Sequence, residues 1–600
     1  MRPRRGPCGW IGATVVLLAV CGQLHAAGGN PADPVSGPSA AALKAEVTKL
    51  AAAGRLTAPL IKRYKDYVWQ QTRENAGDAV PEAFWTWAGA DPAVRDGLIL
   101  ALLPDGNPDI VKRLWELKQT FGDRTDEYAQ LAIAFAVVYG RAGDKSPWMH
   151  IADYTKEYLR DDRKPPTMTE SFRYYLDHAR AMRFPLRKTP WPLLVYVADN
   201  EIPIEERLWA IRNYGRRPDK GMERISGDVP YRPDRRTDQW ARGDLPPTLE
   251  NLRDCGGVCA ENSYFAGRVY KSLGIPAVVE VGVDFRHSCH AWVNWVGFKT
   301  KRYSTDGEGY LLSGIGTGME GSDRELFVSS RTYSPILLKT VPCGDVGLIV
   351  AAVRHSYPRH IEAEIGCAIY ETIEGDARTR THLLEDSIAR SPSCARAWRH
   401  LTQACLDGVL TEAQAEVLVE KMIATFPRAP ALTFEVFETI LTPRLAVTKD
   451  VPAERVRRNL RILDRALAFY DHNALNDPGI RIVLLKGDYL VRLGRTEEAL
   501  AVYASGAERY VGPLNPHTRF IDLFDRAMAL MKGPEDAGRR LVFADRVVKA
   551  AGPPPPAMFC GPGADAYKHL INTWIDELRT ADKNKLADEW QKRLDKMAVE

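Results

Sequence analysis

From residue 41 to about residue 182 the apolar residues recur at helical spacing. Leu43, Val47 and Leu50 mark one helix face, and Leu60, Tyr64, Tyr67 and Val68 the next. Asp91 followed by Pro92 reads as an N-cap and first turn, and Asn107-Pro108 opens another helix with Ile110, Leu114 and Leu117. Residues 128–139 are apolar enough to predict a buried helix, and Thr167 and Thr169 precede a further one over 172–182. These segments predict an all-helical domain over 41–188, with Trp85, Trp87, Trp115 and Trp148 in its core.

The pattern changes at residue 191. WPLLVYVA, residues 191–198, reads as a strand, and residues 204–214 as a helix. Residues 216–242 are polar and rich in Pro, Gly and Arg, and predict a long loop that serves as a wall or lid, or simply as a connector. The run 260–273 carries Phe265, Val269 and Leu273 at helical spacing, with Gly274 and Pro276 ending it. Gly256 and Gly257 allow a sharp turn before it. Residues 277–283 and 290–296 read as strands, 297–300 as a hairpin loop and 301–305 as a returning strand. That register sets His290 opposite Asp306 or Gly307, and His290, Trp292 and Asn294 share one strand face. The glycine-rich stretch 307–321 contains G-I-G-T-G but lacks the lysine and following helix of a phosphate loop, so it predicts a turn region.

Beyond residue 352 the helical pattern returns. Val483, Gly487, Leu490, Gly494, Ala499 and Tyr503 follow the spacing of a tetratricopeptide helix pair, with Pro513 after it. A weaker copy runs from Ala397 and Trp398 through Leu401 to Pro427. Residues 346–600 therefore predict a helical-repeat domain, which either binds a protein partner or buttresses the middle domain.

At the N-terminus, Arg2, Arg4 and Arg5 precede an apolar run over 10–21 and then Leu-His-Ala-Ala. This reads as a secretory signal peptide over 1–26, followed by a linker over 27–40, and predicts a periplasmic or extracellular protein with no transmembrane span in the mature chain. A chain of 600 residues with 45% apolar and 26% charged residues is an ordinary globular protein of several domains. The 81 basic and 77 acidic residues leave a net charge of +4, too small to point to nucleic acid.

Chemistry concentrates in 254–309. Cys259 falls at the start of a helix, where unpaired N–H groups favour a thiolate. His290 and Asp306 follow it in the order of a thiol nucleophile, its base and an orienting acid. Gly257-Val-Cys259, Leu273-Gly-Ile-Pro-Ala277, His290-Ala-Trp-Val293 and Asp306 together resemble the transglutaminase-like superfamily of papain-like cysteine enzymes. The resemblance covers about residues 200–310. It implies an α+β fold, a papain-like transglutaminase core over 189–345 flanked by the two helical domains. It also implies a cysteine hydrolase or acyltransferase acting on a protein or peptide amide through Cys259, His290 and Asp306, with no cofactor. Asp306 departs from the family pattern, since Gly307 follows it where a proline is usual, which leaves Glu308 as a second candidate acid. The family's second oxyanion donor lies upstream of the cysteine, which makes Gln239 and Trp240 candidates, with Trp292 a further substrate contact.

Two other readings compete. Cys255, Cys259, His287, Cys289 and His290 are ligand types suited to a structural zinc. An inactive scaffold would keep the fold and work through its helical repeats. Of ten cysteines, two fall in the signal peptide, leaving Cys255, Cys259, Cys289, Cys343, Cys367, Cys394, Cys405 and Cys560. An exported chain permits disulfides, and Cys255 with Cys289 is the pair singled out here.

Overall fold

The computed structural model describes residues 38–103, 106–142, 163–222, 224–232, 245–283, 289–298, 310–315, 331–337, 339–342, 344–425, 434, 436–440, 445, 451–472, 476–511, 519–552 and 562–599. The signal-peptide reading, the linker up to residue 37 and the candidates Gln239, Trp240, His287, Asp306 and Glu308 fall outside them.

Helices begin where local chemistry starts them. Ser39 accepts from the Ala42 N–H and opens Ala40–Ala51. The Asp91 carboxylate accepts from Ala93 at 2.8 Å ahead of Pro92–Leu102, and Asn107 accepts from Asp109 at 2.9 Å ahead of Pro108–Phe121. Thr167 and Glu170 form a reciprocal capping box at Met168–Asp177. The expected buried helix is Ala129–Ala142, with Leu131, Phe135 and Val138 in the core. Phe84 anchors an aromatic cluster there, edge-on to Trp85, Trp87 and Trp115.

This first core is closed by residues from far along the chain. Val346, Ile361, Ile365, Ile369 and Leu383 belong to the same apolar cluster as Leu43, Leu60 and Leu98. Polar contacts join the two regions, with Asp386 accepting from Arg55 at 3.0 Å and from the Leu56 N–H at 2.9 Å. The helix Gly344–Thr372 that supplies most of these residues breaks at Ser356, where φ is −172° and ψ 112°. Pro358 has no N–H to donate to the preceding turn, and the Ser356 hydroxyl accepts from the Arg359 N–H to cap the second half.

The sheet is small and antiparallel. Five strands, β1 (Ala277–Val283), β2 (Cys289–Phe298), β3 (Tyr310–Ile315), β4 (Arg331–Ser334) and β5 (Lys339–Pro342), lie in the order β3-β2-β1-β4-β5. Val279, Val293 and Trp295 turn towards the helix Cys259–Ser272, where Gly267 lies against both valines and Tyr270 stacks on Trp295. Val296 packs with Val350 and Val353 of the long broken helix.

Three expectations are corrected. The α+β, papain-like core is not what the chain forms: most described residues are helical, and strands make up only a small part of them. Residues 191–198 are a helix, Trp191–Ala198, in which all eight side chains are buried. A segment enclosed on every side shows no period, so its pattern cannot tell helix from strand, and Pro190 and Pro192 suit a helix start. The partner of β2 is residues 310–315 rather than 301–305, because the ladder sets Phe298 opposite Tyr310 and Val293 opposite Ile315. His290 falls outside the β2–β3 pairs, which run from Val293 to Phe298, and its expected partner Asp306 lies outside the described residues; residues 310–315 are strand rather than turn.

Beyond residue 372 the chain runs through paired helices. Asn476–Arg492 and Thr496–Tyr510 form the predicted repeat-like pair. Gly494 makes the connection at φ +73°, and Gly487 lets the Tyr503 ring lie directly on its backbone. Among the described residues no helix is long and apolar enough to cross a membrane.

Candidate active site

The turn ahead of Cys259 is built from two glycines that leave no free room for a side chain. Gly256 ends the helix Leu249–Cys255 at φ +80°, and a Cβ on it would lie 2.4 Å from the Pro230 carbonyl oxygen. A Cβ on Gly257 would lie 2.5 Å from Cβ of Glu261. The Gly257 N–H donates to Pro230 at 3.0 Å, and its carbonyl accepts from Arg232 at 2.8 Å. The Glu261 carboxylate turns back to accept from the Val258 N–H at 3.0 Å, so the helix Cys259–Ser272 opens on the cysteine itself. Gly274, at φ +75°, ends it as the sequence predicts.

The described part of the polar loop is stitched to this helix. Tyr270 donates to the Met222 carbonyl at 2.6 Å, and Asn262 to the carbonyls of Ser226 and Val229 at 3.2 and 3.3 Å. Asp228 accepts from Tyr214 at 3.0 Å and pairs with Arg217. Tyr231, about half exposed, stands beside the cysteine turn.

Cys259 is a half-buried free thiol. Burial pushes its pKa above the usual thiol value. The backbone N–H of Ala291 works against that rise, the Glu261 charge adds to it, and the N–H groups of Ala260 and Cys259 oppose it. The net direction is upward, which corrects the expectation of a thiolate favoured by the helix start. An exposed helix terminus contributes roughly 0.3–1 kcal/mol, whereas loss of hydration can move a buried group by several pK units.

The Ala291 contact brings the cysteine to the strand that carries His290. His290 lies opposite Gly282 in the β1–β2 ladder, and Trp292, buried, lies opposite the buried Glu280. The structure thus places Cys259 beside the backbone of Ala291, the residue after His290, whose own side chain lies outside those described. Gln239, Trp240 and Asp306 fall outside the described residues, and Trp292 sits in the core of the sheet. Cys255, the candidate disulfide partner of Cys289, is a free thiol in this structure, and the side chain of Cys289 lies outside those described. Among the described residues no three His, Cys, Asp or Glu side chains converge as a metal site, and His287 of the zinc reading lies outside them.

Several participants were not foreseen. Glu261 acts as both cap and charge, and its place three residues after the helix entry was the available sign. The Ala291 N–H has no signature in sequence. On the far half of the same helix, Arg268 pairs with Glu201 at 2.6 Å and Lys271 with Asp199 at 2.9 Å, all four buried. Compared with protein-family models, curated proteins and solved structures, the chain matches none.

Proposed function

We propose that the chain is an exported thiol enzyme that transfers an acyl group from a peptide or protein amide through Cys259, with His290 as its base and Asp306 as the orienting acid. The observation that carries this reading is the seat of Cys259: a thiol at the first residue of a helix, against the Ala291 N–H on the His290 strand. The order Cys259, Leu273-Gly-Ile-Pro-Ala277, His290-Ala-Trp-Val293 supports it, through its resemblance to the transglutaminase-like enzymes. In the reaction the imidazole of His290 takes the thiol proton, the sulfur attacks the acyl carbon, and the imidazolium returns the proton to the leaving amine. Water or a second amine then releases the acyl group. A protonated resting thiol suits a base that acts only when substrate excludes water. The backbone N–H groups around the sulfur favour negative charge and are candidates for holding the oxyanion.

A second reading draws on the upward thiol shift: an inactive scaffold that works through its helical repeats. One experiment separates the two. The purified protein is mixed with p-nitrophenyl acetate, and release of nitrophenol is followed beside peptide mass mapping. The enzyme reading expects a burst, one acetyl group on Cys259, and slow turnover. The burst disappears in Cys259→Ala and slows at least tenfold in His290→Ala. An unacetylated Cys259, or equal rates in His290→Ala, leaves the scaffold.

A further inference from the structure

A second pair of thiols lies far along the chain from Cys259. Cys367 is in the second half of the helix Gly344–Thr372, and Cys394 is the residue that precedes Ala395–Leu406. Their sulfurs are 3.7 Å apart, and both side chains are buried. A covalent S–S bond is about 2.05 Å long, so closing the gap needs a shift of under ~2 Å. Cys394 also donates to the Glu364 carboxylate at 3.3 Å, and Arg396 pairs with the other oxygen of that carboxylate at 3.3 Å.

We propose that Cys367 and Cys394 form a disulfide as the chain folds, tying the long broken helix to the first turn of Ala395–Leu406. The oxidant is another disulfide, either a small one such as oxidised glutathione or that of a protein oxidant. One cysteine thiolate attacks a sulfur of the donor and expels one donor thiolate. The second cysteine thiolate then attacks the mixed disulfide and expels the other. The two cysteines lose two electrons, the donor disulfide gains them, and the two protons end on the released thiols.

The surroundings set when this happens. Once packed, the Cys394 thiol is held protonated by its hydrogen bond with Cys367, by burial and by the Glu364 charge, so it is a poor nucleophile. Neither sulfur is open to a donor in the folded chain. The cross-link therefore closes before the two helices finish packing, and is then shielded from reductants. In this structure Cys367 and Cys394 are free thiols, as are Cys255 and Cys259, but only the first two are fully buried.

The test unfolds the full chain in reductant and refolds it in a mixture of reduced and oxidised glutathione, with a second sample kept reduced. Free thiols are blocked with N-ethylmaleimide in denaturant and the peptides mapped by mass spectrometry. The expected result is a Cys367–Cys394 linked peptide, with Cys259 blocked by maleimide. The oxidised protein should unfold at a higher temperature than the reduced one, and Cys367→Ala and Cys394→Ser should each remove the link and that difference. Oxidised glutathione added to folded, reduced protein should form the link at least tenfold more slowly than during refolding. Maleimide on both cysteines after oxidative refolding, or links to other cysteines, would overturn the proposal. Equal rates before and after folding would overturn its timing.

Discussion

The sulfur of Cys259 rests against the backbone N–H of Ala291, the residue that follows His290. One contact therefore joins the opening of a helix to the strand carrying the candidate base. The same contact is too weak to offset burial, so the resting thiol is protonated.

The pH dependence of alkylation follows from that balance. Labelling of Cys259 by iodoacetamide should have its midpoint above the ~8.5 of a free thiol. Glu261→Gln removes a negative charge but keeps an acceptor for Val258, so the midpoint should fall. A thiol pKa raised on folding stabilises the native state below the unfolded value, and that contribution is lost as pH rises through the folded one. A midpoint at or below that of a model thiol would contradict the burial account.

Gly256→Ala should weaken both the fold and the site. The substitution needs a left-handed backbone and puts a methyl group on the Pro230 carbonyl. A cost of roughly 1–3 kcal/mol is expected from such strain. Urea denaturation should show it, together with altered Cys259 labelling under native conditions.

The buried ion pair Lys271–Asp199 makes a separate test of stability. Asp199→Ala leaves a buried ammonium without its carboxylate and should cost about 3–5 kcal/mol. Removing both charges, as Asp199→Leu with Lys271→Met, should cost much less. Burial already lowers the Lys271 pKa, with Asp199 opposing that shift. Unfolded chains then bind the extra proton, so this group's contribution to stability rises as pH rises from the folded pKa towards 10.5. Denaturation midpoints measured across alkaline pH, with and without the Lys271→Met change, would show the difference.

How much of this could be read from sequence depended on whether the cause was local. Asp91 and Asn107 cap helices as expected, because a cap needs only its own turn, whereas Thr167 caps Met168–Asp177, a helix expected to start at residue 172. The Cys259 helix and its stop at Gly274 were legible for the same reason. Residues 191–198 were misread because neighbours on every side, not the residues themselves, decide that an apolar run is a helix. The β2–β3 register failed because Gly297-Phe-Lys-Thr300 looks like a turn, yet β2 continues to Phe298 and returns only at Tyr310. The direction of the thiol shift depends on burial and on Ala291, thirty-two positions away, and neither leaves a mark around Cys259.

Gly487 and Tyr503 extend the tests to the repeat region. A Cβ on Gly487 would lie 2.2 Å from the Tyr503 ring. Gly487→Ala should therefore destabilise the protein by roughly 1–3 kcal/mol. In a Tyr503→Ala background the same change should cost much less, since the clash is gone. Equal costs in the two backgrounds, measured by thermal unfolding, would show that the ring is not what excludes a side chain there.

The helix Gly344–Thr372 has a consequence for the order of events at the ribosome. Leu43, Leu60 and Leu98 share their core with Ile361, Ile365, Ile369 and Leu383. The link from Arg55 to Asp386 spans 331 residues. The first helices to be synthesised therefore present an unfinished apolar face until more than half of the chain has emerged. During that interval they are the segment most in need of a chaperone, and a chain that stops short of residue 346 would carry that need permanently.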